Sequence, residues 1–449
     1  MQPYSTLEVR RFEDHDVYDN DGAYKEAVDH PTSLYPEHIP FENDASGVYD
    51  PQAIHHGNEL SPSAVSEGAT KTSKICGLSR RRFYLVLAIG VLVIIGAIVG
   101  GLAGGLLSRQ HNSTPHPNVN ILNISKLASS NSTDSNGNIH RTVFFQDTNN
   151  AIIARRWDSQ NRTWETSNLT EMMRESRTPL NPLPGTPLAS ASRNWNAVDE
   201  VHLWFLAPDS YISSLYLASP DTKSNNDWKY DSLNDSQIRT RSGSQLAAMW
   251  QRCSAENCTG SWLVAYQTPD GDINVANASR WDSPTRAVEA KNVAANSSLG
   301  LSPKLHDDSG VDLAMLVSEA VGSGSTSDMQ RAIYEGGWGL NEFRIRELPL
   351  PSPRLQFAIT LMDRFAVTMQ LALLPNGTVA AMWFADHQYH TVPSVKFRGG
   401  PAAGGDFTAL AASEDAMLYV VAGDEVLEFE PYDAGADRSS FVFVGRVYP

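Results

Sequence analysis

A turn flanked by strand-like runs recurs along the C-terminal two thirds of this chain, and it leaves few folds open. Its first four anchors are Ile152, Ile212, Ile273 and Ile333, spaced 60, 61 and 60 residues apart. Each follows a turn: Thr148-Asn149-Asn150, Pro208-Asp209-Ser210, Pro269-Asp270-Gly271 and Gly322-Ser323-Gly324-Ser325. An apolar or aromatic run precedes each turn, as in Val143-Phe144-Phe145, Leu203-Trp204-Phe205, Leu263-Val264-Ala265-Tyr266 and Leu313-Ala314-Met315-Leu316-Val317. Two weaker copies follow around Pro375-Asn376-Gly377 and Gly423-Asp424. Regular β units of roughly 50–60 residues hold four strands each and read as propeller blades. Arg156-Trp157-Asp158-Ser159 recurs as Arg280-Trp281-Asp282-Ser283, two units later, which supports the register. The best helix candidate, Leu169 to Arg177, is short. The alternative, a pair of β-sandwiches, does not predict six similar hairpins.

A second feature lies upstream. Phe83 to Leu107 holds no charged residue. As a helix it would span roughly 37 Å at about 1.5 Å per residue, enough to cross a bilayer with some tilt. It begins far from Met1 and reads as a signal anchor. Lys71, Lys74, Arg80, Arg81 and Arg82 precede it and only Arg109 follows closely, so the N-terminus is expected in the cytosol, a type II topology. The sequons agree. Asn112, Asn123, Asn131, Asn161, Asn168, Asn234, Asn257, Asn277, Asn296 and Asn376 all lie beyond the span, on the side where N-glycosylation occurs. Gly96, Gly100 and Gly104 fall on one helix face, which fits a transmembrane homodimer and equally the ordinary glycine content of such helices.

The remaining composition sets the domains. Residues 1–82 are acidic and poor in apolar clusters, so they are expected to be a disordered cytoplasmic tail. Cys76, just before the span, is a candidate for palmitoylation. Residues 108–138 are rich in Asn, Ser and Thr and read as a glycosylated stalk. Within it, Val119 to Ile124 is a candidate strand, one that would complete the blade at the other end of the ring. The propeller is expected over 139–449. A net charge of −16 argues against a nucleic-acid partner. Three cysteines cannot form a disulfide framework. Cys253 and Cys258 flank four residues and are either free thiols or a bridge, which an extracellular or lumenal compartment favours.

Taken together, the expected fold class is all-β: a six-bladed β-propeller ectodomain, preceded by one transmembrane helix and a disordered N-terminal tail. At this point the chain resembles a known family. Arg141-Thr142-Val143-Phe144-Phe145-Gln146-Asp147-Thr148-Asn149-Asn150-Ala151-Ile152, followed by Trp157-Asp158 and Trp164, is similar to a blade of the fungal fucose-specific lectins. Tyr266-Gln267-Thr268-Pro269-Asp270-Gly271-Asp272-Ile273 and Ile333-Tyr334-Glu335-Gly336-Gly337-Trp338 resemble the same motif. The resemblance implies a six-bladed propeller with sugar sites between blades, each built on an Arg before the turn, a Glu after it and aromatic rings. A guanidinium and a carboxylate orient vicinal hydroxyls by charge-assisted hydrogen bonds, and an aromatic face covers the apolar side of the sugar.

Those two charged positions read Thr142/Ala154, His202/Ser214, Leu263/Val275, Asp312/Glu335, Met369/Ala381 and, in the sixth unit, Ala416 or Met417 with Glu428. No unit keeps both. Arg141 lies beside the expected place, but the neighbouring residue on a strand faces the other way. Glu335 with Trp338, and Glu428, are the candidate carbohydrate-binding remnants; the plainer reading is a solvated glutamate near a packing tryptophan. The chain lacks the repeated boxes of sialidase propellers, metal-ligand spacings and a Gly-x-Ser-x-Gly, so no enzyme, cofactor or metal is expected. The expectation is a membrane-anchored, lectin-like glycan binder for fucose or a related sugar, or else a scaffold for cell-surface protein contacts that has lost sugar recognition.

Overall fold

We describe a computed structural model over residues 120–134, 136–174, 179–195, 198–218, 227–251, 260–303, 313–318, 327–362, 367–385, 388–401, 405–432 and 438–449. The expected tail, membrane span, Asn112, the turn at 322–325, Cys253, Cys258 and Asn257 lie outside these residues. Among the described residues no helix is long and apolar enough to cross a membrane.

The described residues form six sheets in sequence, each a four-stranded antiparallel ladder, with one further strand added in parallel to the last. Blade 1 holds β1 (Ala128–Thr133), β2 (Ile139–Gln146), β3 (Ile152–Asp158) and β4 (Thr163–Asn168). A single helical turn, α1 (Leu169–Met172), follows, capped by the Asn168 side chain, which accepts from Glu171 N–H. Blade 2 holds β5 (Leu188–Trp195), β6 (Val198–Ala207), β7 (Tyr211–Ala218) and β8 (Trp228–Tyr230). Blade 3 holds β9 (Leu246–Gln251), β10 (Ser261–Gln267), β11 (Ile273–Asn277) and β12 (Arg280–Val288). Blade 4 holds β13 (Leu299–Pro303), β14 (Leu313–Ser318), β15 (Ser327–Tyr334) and β16 (Trp338–Leu350). Blade 5 holds β17 (Gln356–Met362), β18 (Val367–Leu373), β19 (Val379–Ala385) and β20 (Gln388–Val392). Blade 6 adds a short edge strand, β21 (Lys396–Arg398), to β22 (Ala409–Ala412), β23 (Leu418–Ala422), β24 (Glu425–Pro431) and β25 (Ser440–Tyr448). The six-bladed propeller is the architecture expected from the hairpins.

The second strand of each blade is the apolar run seen in the sequence, and its lack of alternation has a physical cause. Val143, Phe144 and Phe145 are all fully buried because alternate residues pack on different neighbours. Val143 and Phe145 join Tyr419, Val421 and Val426 of blade 6. Phe144 joins Leu203, Phe205 and Leu215 of blade 2. A strand buried on both faces reads as a continuous hydrophobic run. The innermost strands meet around the axis, where a cavity of about 110 Å³ is lined by β1, β5, β9, β13, β17 and β22. A Cβ on Gly300 would lie 2.6 Å from Ile359 Cδ1 of the next blade.

Two boundaries differ from expectation. Ala128–Thr133, inside the segment read as a stalk, is the inner strand of blade 1 and pairs with β2 along its whole length. The propeller therefore begins upstream of residue 139. Ile121 bridges Asp147 of its own blade and does not complete blade 6. Blade 6 needs no donated strand, because β22 to β25 already form its four-stranded ladder and β21 covers β25 in parallel.

A repeated polar clasp sets the blade tops. Just before an inner strand, a hydroxyl accepts the N–H that ends the second strand. The pairs are Ser125 with Gln146 (2.8 Å), Thr186 with Leu206 (2.7 Å), Ser244 with Gln267 (2.9 Å) and Ser297 with Ser318 (2.8 Å). Two of these positions carry a buried glutamine that reaches the next blade. Gln267 Nε2 donates to Gly271 O and Ala294 O, and its Oε1 accepts from Asn296 N–H. Gln146 makes the equivalent bonds to Asn150, Leu183 and Thr186. Replacing Gln267 with Ala strands three backbone groups, and a loss of about 2–3 kcal/mol in urea unfolding is expected; an unchanged midpoint would contradict the clasp.

Candidate functional site

The polar residues of interest lie at the seams between blades, and each seam draws on two blades. At the seam of blades 6 and 1, Glu428 on β24 is buried and faces blade 1. Its Oε1 accepts from Tyr419 O–H at 3.1 Å and lies 3.3 Å from Arg141 Nη1 on β2. Arg141 Nε also donates to Asp415 Oδ2 at 3.2 Å, and its guanidinium sits 4.9 Å from the Trp157 ring. Burial opposes the charge on Arg141, but Tyr419, Asp415 and Glu428 outweigh it and hold its pKa above the ordinary value. Burial pushes Glu428 upward, against the pull of Arg141 and the tyrosine hydroxyl. The Tyr419 phenol is likewise pushed up by burial.

This corrects the sequence reading of Arg141. Its side chain does turn away from the seam that blade 1 shares with blade 2. It enters the seam on the other face, where Glu428, 287 residues further on, is its partner. Carboxylate, guanidinium and aromatic rings are thus assembled across blades. Asp415 is held in turn by the Ser413 hydroxyl, which donates to its Oδ1.

The seam of blades 2 and 3 is built differently. His202 on β6 occupies the position where the family pattern has Arg. Its Nδ1 lies 3.0 Å from Asp231 Oδ2 and its Nε2 lies 2.9 Å from Glu200 Oε1. Two acceptors on one ring fit the doubly protonated imidazolium. Burial works against that charge, yet the bonds to Asp231 and Glu200 prevail and raise its pKa. Burial opposes ionisation of Asp231 too, and His202 reverses this and lowers its pKa. The ring stacks on Trp262 of blade 3 at 4.0 Å and on Tyr216 and Trp204, each at 5.4 Å. Arg193 Nη1 lies 4.0 Å from the other Glu200 oxygen.

Beside this cluster opens a cavity of about 980 Å³, bordered by Tyr211, Tyr216, Tyr230, Trp262, Glu200 and Asp235 among others. Ser214, where the pattern has Glu, is fully buried, and its hydroxyl lies 3.4 Å from Asp231 Oδ2. The acid comes from the end of the outer strand instead. The sequence reading weighed His202 and Ser214 as losses; Asp231 and Glu200 carried no signal because they sit off the two expected positions.

Glu335, Trp338 and Glu428 are not brought together. Glu335 is exposed in the bend between β15 and β16. Trp338 and Tyr334, with rings 5.4 Å apart, pack on the apolar cluster that joins blades 3 and 4 through Leu263, Val275 and Leu313. Among the sequons, Asn123, Asn161 and Asn376 are exposed. Asn161 and Asn376 each accept from the hydroxyl of the threonine two residues on, at 2.9 and 2.7 Å. Asn168 caps α1, and Asn277 and Asn296 are half-buried. Asn131 is 9% exposed at the central channel. Asn234 spends its amide protons on Ser214 O and Asp231 O.

Solved structures share the fold. AofleA from Arthrobotrys oligospora is 16% identical, with 74% of this chain and 88% of that one covered and a TM-score of 0.52. A fucose-specific lectin from Aleuria aurantia is 13% identical, with 73% and 97% covered and a TM-score of 0.54. A further Aleuria aurantia lectin structure, described as a six-bladed β-propeller with a novel fucose recognition mode, is 14% identical, with 73% and 97% covered and a TM-score of 0.53. Identities this low establish the propeller fold alone. No protein-family model and no curated protein matches the sequence.

The His202 cluster makes stability depend on pH with a definite sign. A raised histidine pKa stabilises the fold below about 6.5, the unfolded value, and this is lost as pH rises through the folded value. A lowered Asp231 pKa stabilises above about 3.9, and this is lost on acidification. The melting temperature is therefore expected to fall as pH rises above about 6.5, and to fall less in His202→Gln. Scanning calorimetry checks this; parallel profiles would show that the imidazolium contributes nothing.

Proposed function

We propose that the protein is a membrane-anchored, lectin-like carbohydrate binder whose site is the cavity between blades 2 and 3. One observation carries the reading: the cavity is bordered by aromatic rings, Tyr211, Tyr216, Tyr230 and Trp262, together with carboxylates that His202 holds in place. Aromatic faces cover the apolar side of a sugar, and anchored charged groups orient its hydroxyls. The fold supports it, since the propellers of similar structure include a fucose-specific lectin and an Aleuria aurantia lectin in complex with Fucα1-6GlcNAc. Binding without bond cleavage is the activity, with fucose or a related sugar on a glycan as the partner. Residues 83–107 anchor the propeller on the extracellular or lumenal side in a type II topology. Gly96, Gly100 and Gly104 supply a dimer face. N-glycans would sit on Asn123, Asn161 and Asn376, the sequons exposed among the described residues.

A scaffold role for protein contacts suits other seams. The Arg141 guanidinium is already taken by Asp415 and Glu428, and the seam of blades 3 and 4 is filled by apolar side chains. Glycan-array binding by the full chain in detergent separates the two. The lectin reading expects a bound glycan, roughly tenfold weaker in Tyr216→Ala and unchanged in Glu335→Gln. Silence towards every glycan at high micromolar protein would leave the scaffold.

A further inference from the structure

At one level of the ring, the seam of blades 4 and 5 repeats the geometry of the last seam with its charges changed. The registers fix the correspondence. Ala128, Gly300, Ala358 and Ala411 are each the middle one of three residues that an inner strand brings to the axial cavity. At the last seam, Ala411 pairs with Tyr419, and Tyr419 pairs with Glu428. On the facing blade Arg141 stands three residues before Phe144, the partner of Ala128. In the seam of blades 4 and 5, Gly300 pairs with Leu316, and Leu316 pairs with Arg331. On the facing blade Thr368 stands three residues before Leu371, the partner of Ala358. Arg331 therefore holds the place of Glu428, and Thr368 holds the place of Arg141. The residue at this level of blade 4 is Arg331 and not Glu335.

The packing agrees. Leu316 of blade 4 and Ala372 and Met382 of blade 5 share one apolar cluster. Directly opposed residues of an antiparallel pair share a face, as do residues two apart on one strand. Arg331, opposite Leu316, and Gln370, opposite Met382, thus face the same seam, and Thr368 does too. Arg331 Nε, Thr368 Oγ1 and Gln370 Oε1 are each shut off from solvent without a hydrogen-bond partner. Among the described residues Arg331 also makes no ion pair. Thr368 is 4% exposed, while Arg331 and Gln370 are half-buried, so the seam is reachable from solvent at this level. Polar groups left unpaired off solvent are costly, a guanidinium most of all. Three of them on one seam, drawn from two blades, fit a ligand that supplies an anion and a hydroxyl.

We propose that this seam is a second binding site, for an acidic sugar whose carboxylate pairs with Arg331. The guanidinium fork matches the two oxygens of a carboxylate, and the Thr368 hydroxyl adds a donor to the same anion. Gln370 Oε1 is an acceptor, so it takes a ring hydroxyl and not the anion. Tyr389 of β20 packs against the apolar cluster of this seam and offers a ring to the apolar side of the sugar. The site draws on no residue of the cavity between blades 2 and 3, and either can fail without the other.

Calorimetric titration of the full chain in detergent tests this with four probes: methyl glucuronide, methyl glucoside, glucose 6-sulfate and inorganic sulfate. The glucuronide is expected to bind roughly tenfold or more tightly than the other three, the scale of a charge-assisted hydrogen bond. Arg331→Met is expected to abolish that preference without lowering the melting temperature, because it removes a charge that the fold does not pair. Thr368→Val, a change of similar volume, is expected to weaken the glucuronide roughly fivefold and to spare the fold. Equal binding of the glucoside would overturn the role of the charge. Equal or tighter binding of either sulfate would overturn the carboxylate assignment. A preference that survives Arg331→Met, or one that is lost in Tyr216→Ala, would remove the site from this seam. If Arg331→Met lowers the melting temperature, Thr368→Val decides, and glucuronide binding unchanged by it would overturn the site. Glucuronide binding by a protein silent towards neutral glycans would sustain this site and overturn only the cavity between blades 2 and 3.

Discussion

A single blade carries two apolar faces, and only a neighbour on each side can bury them. Phe144 is buried by blade 2 and Phe145 by blade 6, although the two are adjacent on one strand. Each such side chain contributes about 1.5–3 kcal/mol on burial, so a blade alone loses much of its stabilisation. The ring must therefore close. Here it closes through side chains rather than through a shared strand. At the last seam Phe145 meets Tyr448 with ring centroids 5.0 Å apart, and Arg155 Nε donates to Val447 O at 2.7 Å. Arg141 reaches Asp415 and Glu428 in the same seam.

Closure also decides where polar chemistry can gather. Each seam is lined by one face of each of two blades, so its groups come from different parts of the chain. The seam of blades 6 and 1 collects a guanidinium, two carboxylates and two aromatic rings and satisfies them internally. The seam of blades 2 and 3 buries a histidine ring between two carboxylates and leaves a cavity beside it. One seam is a lock and the other a receptacle, though both descend from the same blade geometry.

Much of this was legible in the hairpins. The turns at Asn150, Gly271, Gly377 and Gly423 all adopt the positive φ that their residue types favour, and the apolar runs became the doubly buried second strands. The inner strand Ala128–Thr133 was not legible. Its Ala-Ser-Ser-Asn-Ser-Thr sequence lines the central channel beside Ser190 and Ser192, and it carries no apolar period. The site was harder still. Arg141 was discounted because a strand residue faces opposite to its neighbour, which is true, but the face it does adopt belongs to another seam. A partner 287 residues away has no local signature. His202 was counted as a lost arginine, since the acids that charge it stand outside the motif.

The central claim is that side-chain pairing across the last seam closes the ring, and a double-mutant cycle on Arg141 and Glu428 tests it most directly. Arg141→Met leaves the buried Glu428 carboxylate with only the Tyr419 hydroxyl, at a cost of roughly 3 kcal/mol in denaturant unfolding, whereas Glu428→Gln leaves the guanidinium its bond to Asp415 and costs roughly 1 kcal/mol. Because the pair is mutual, the double variant should be far more stable than the sum of the single losses allows, with a coupling energy of about 1–3 kcal/mol. Losses that simply add would show that the two residues do not pair across the seam and would contradict the account.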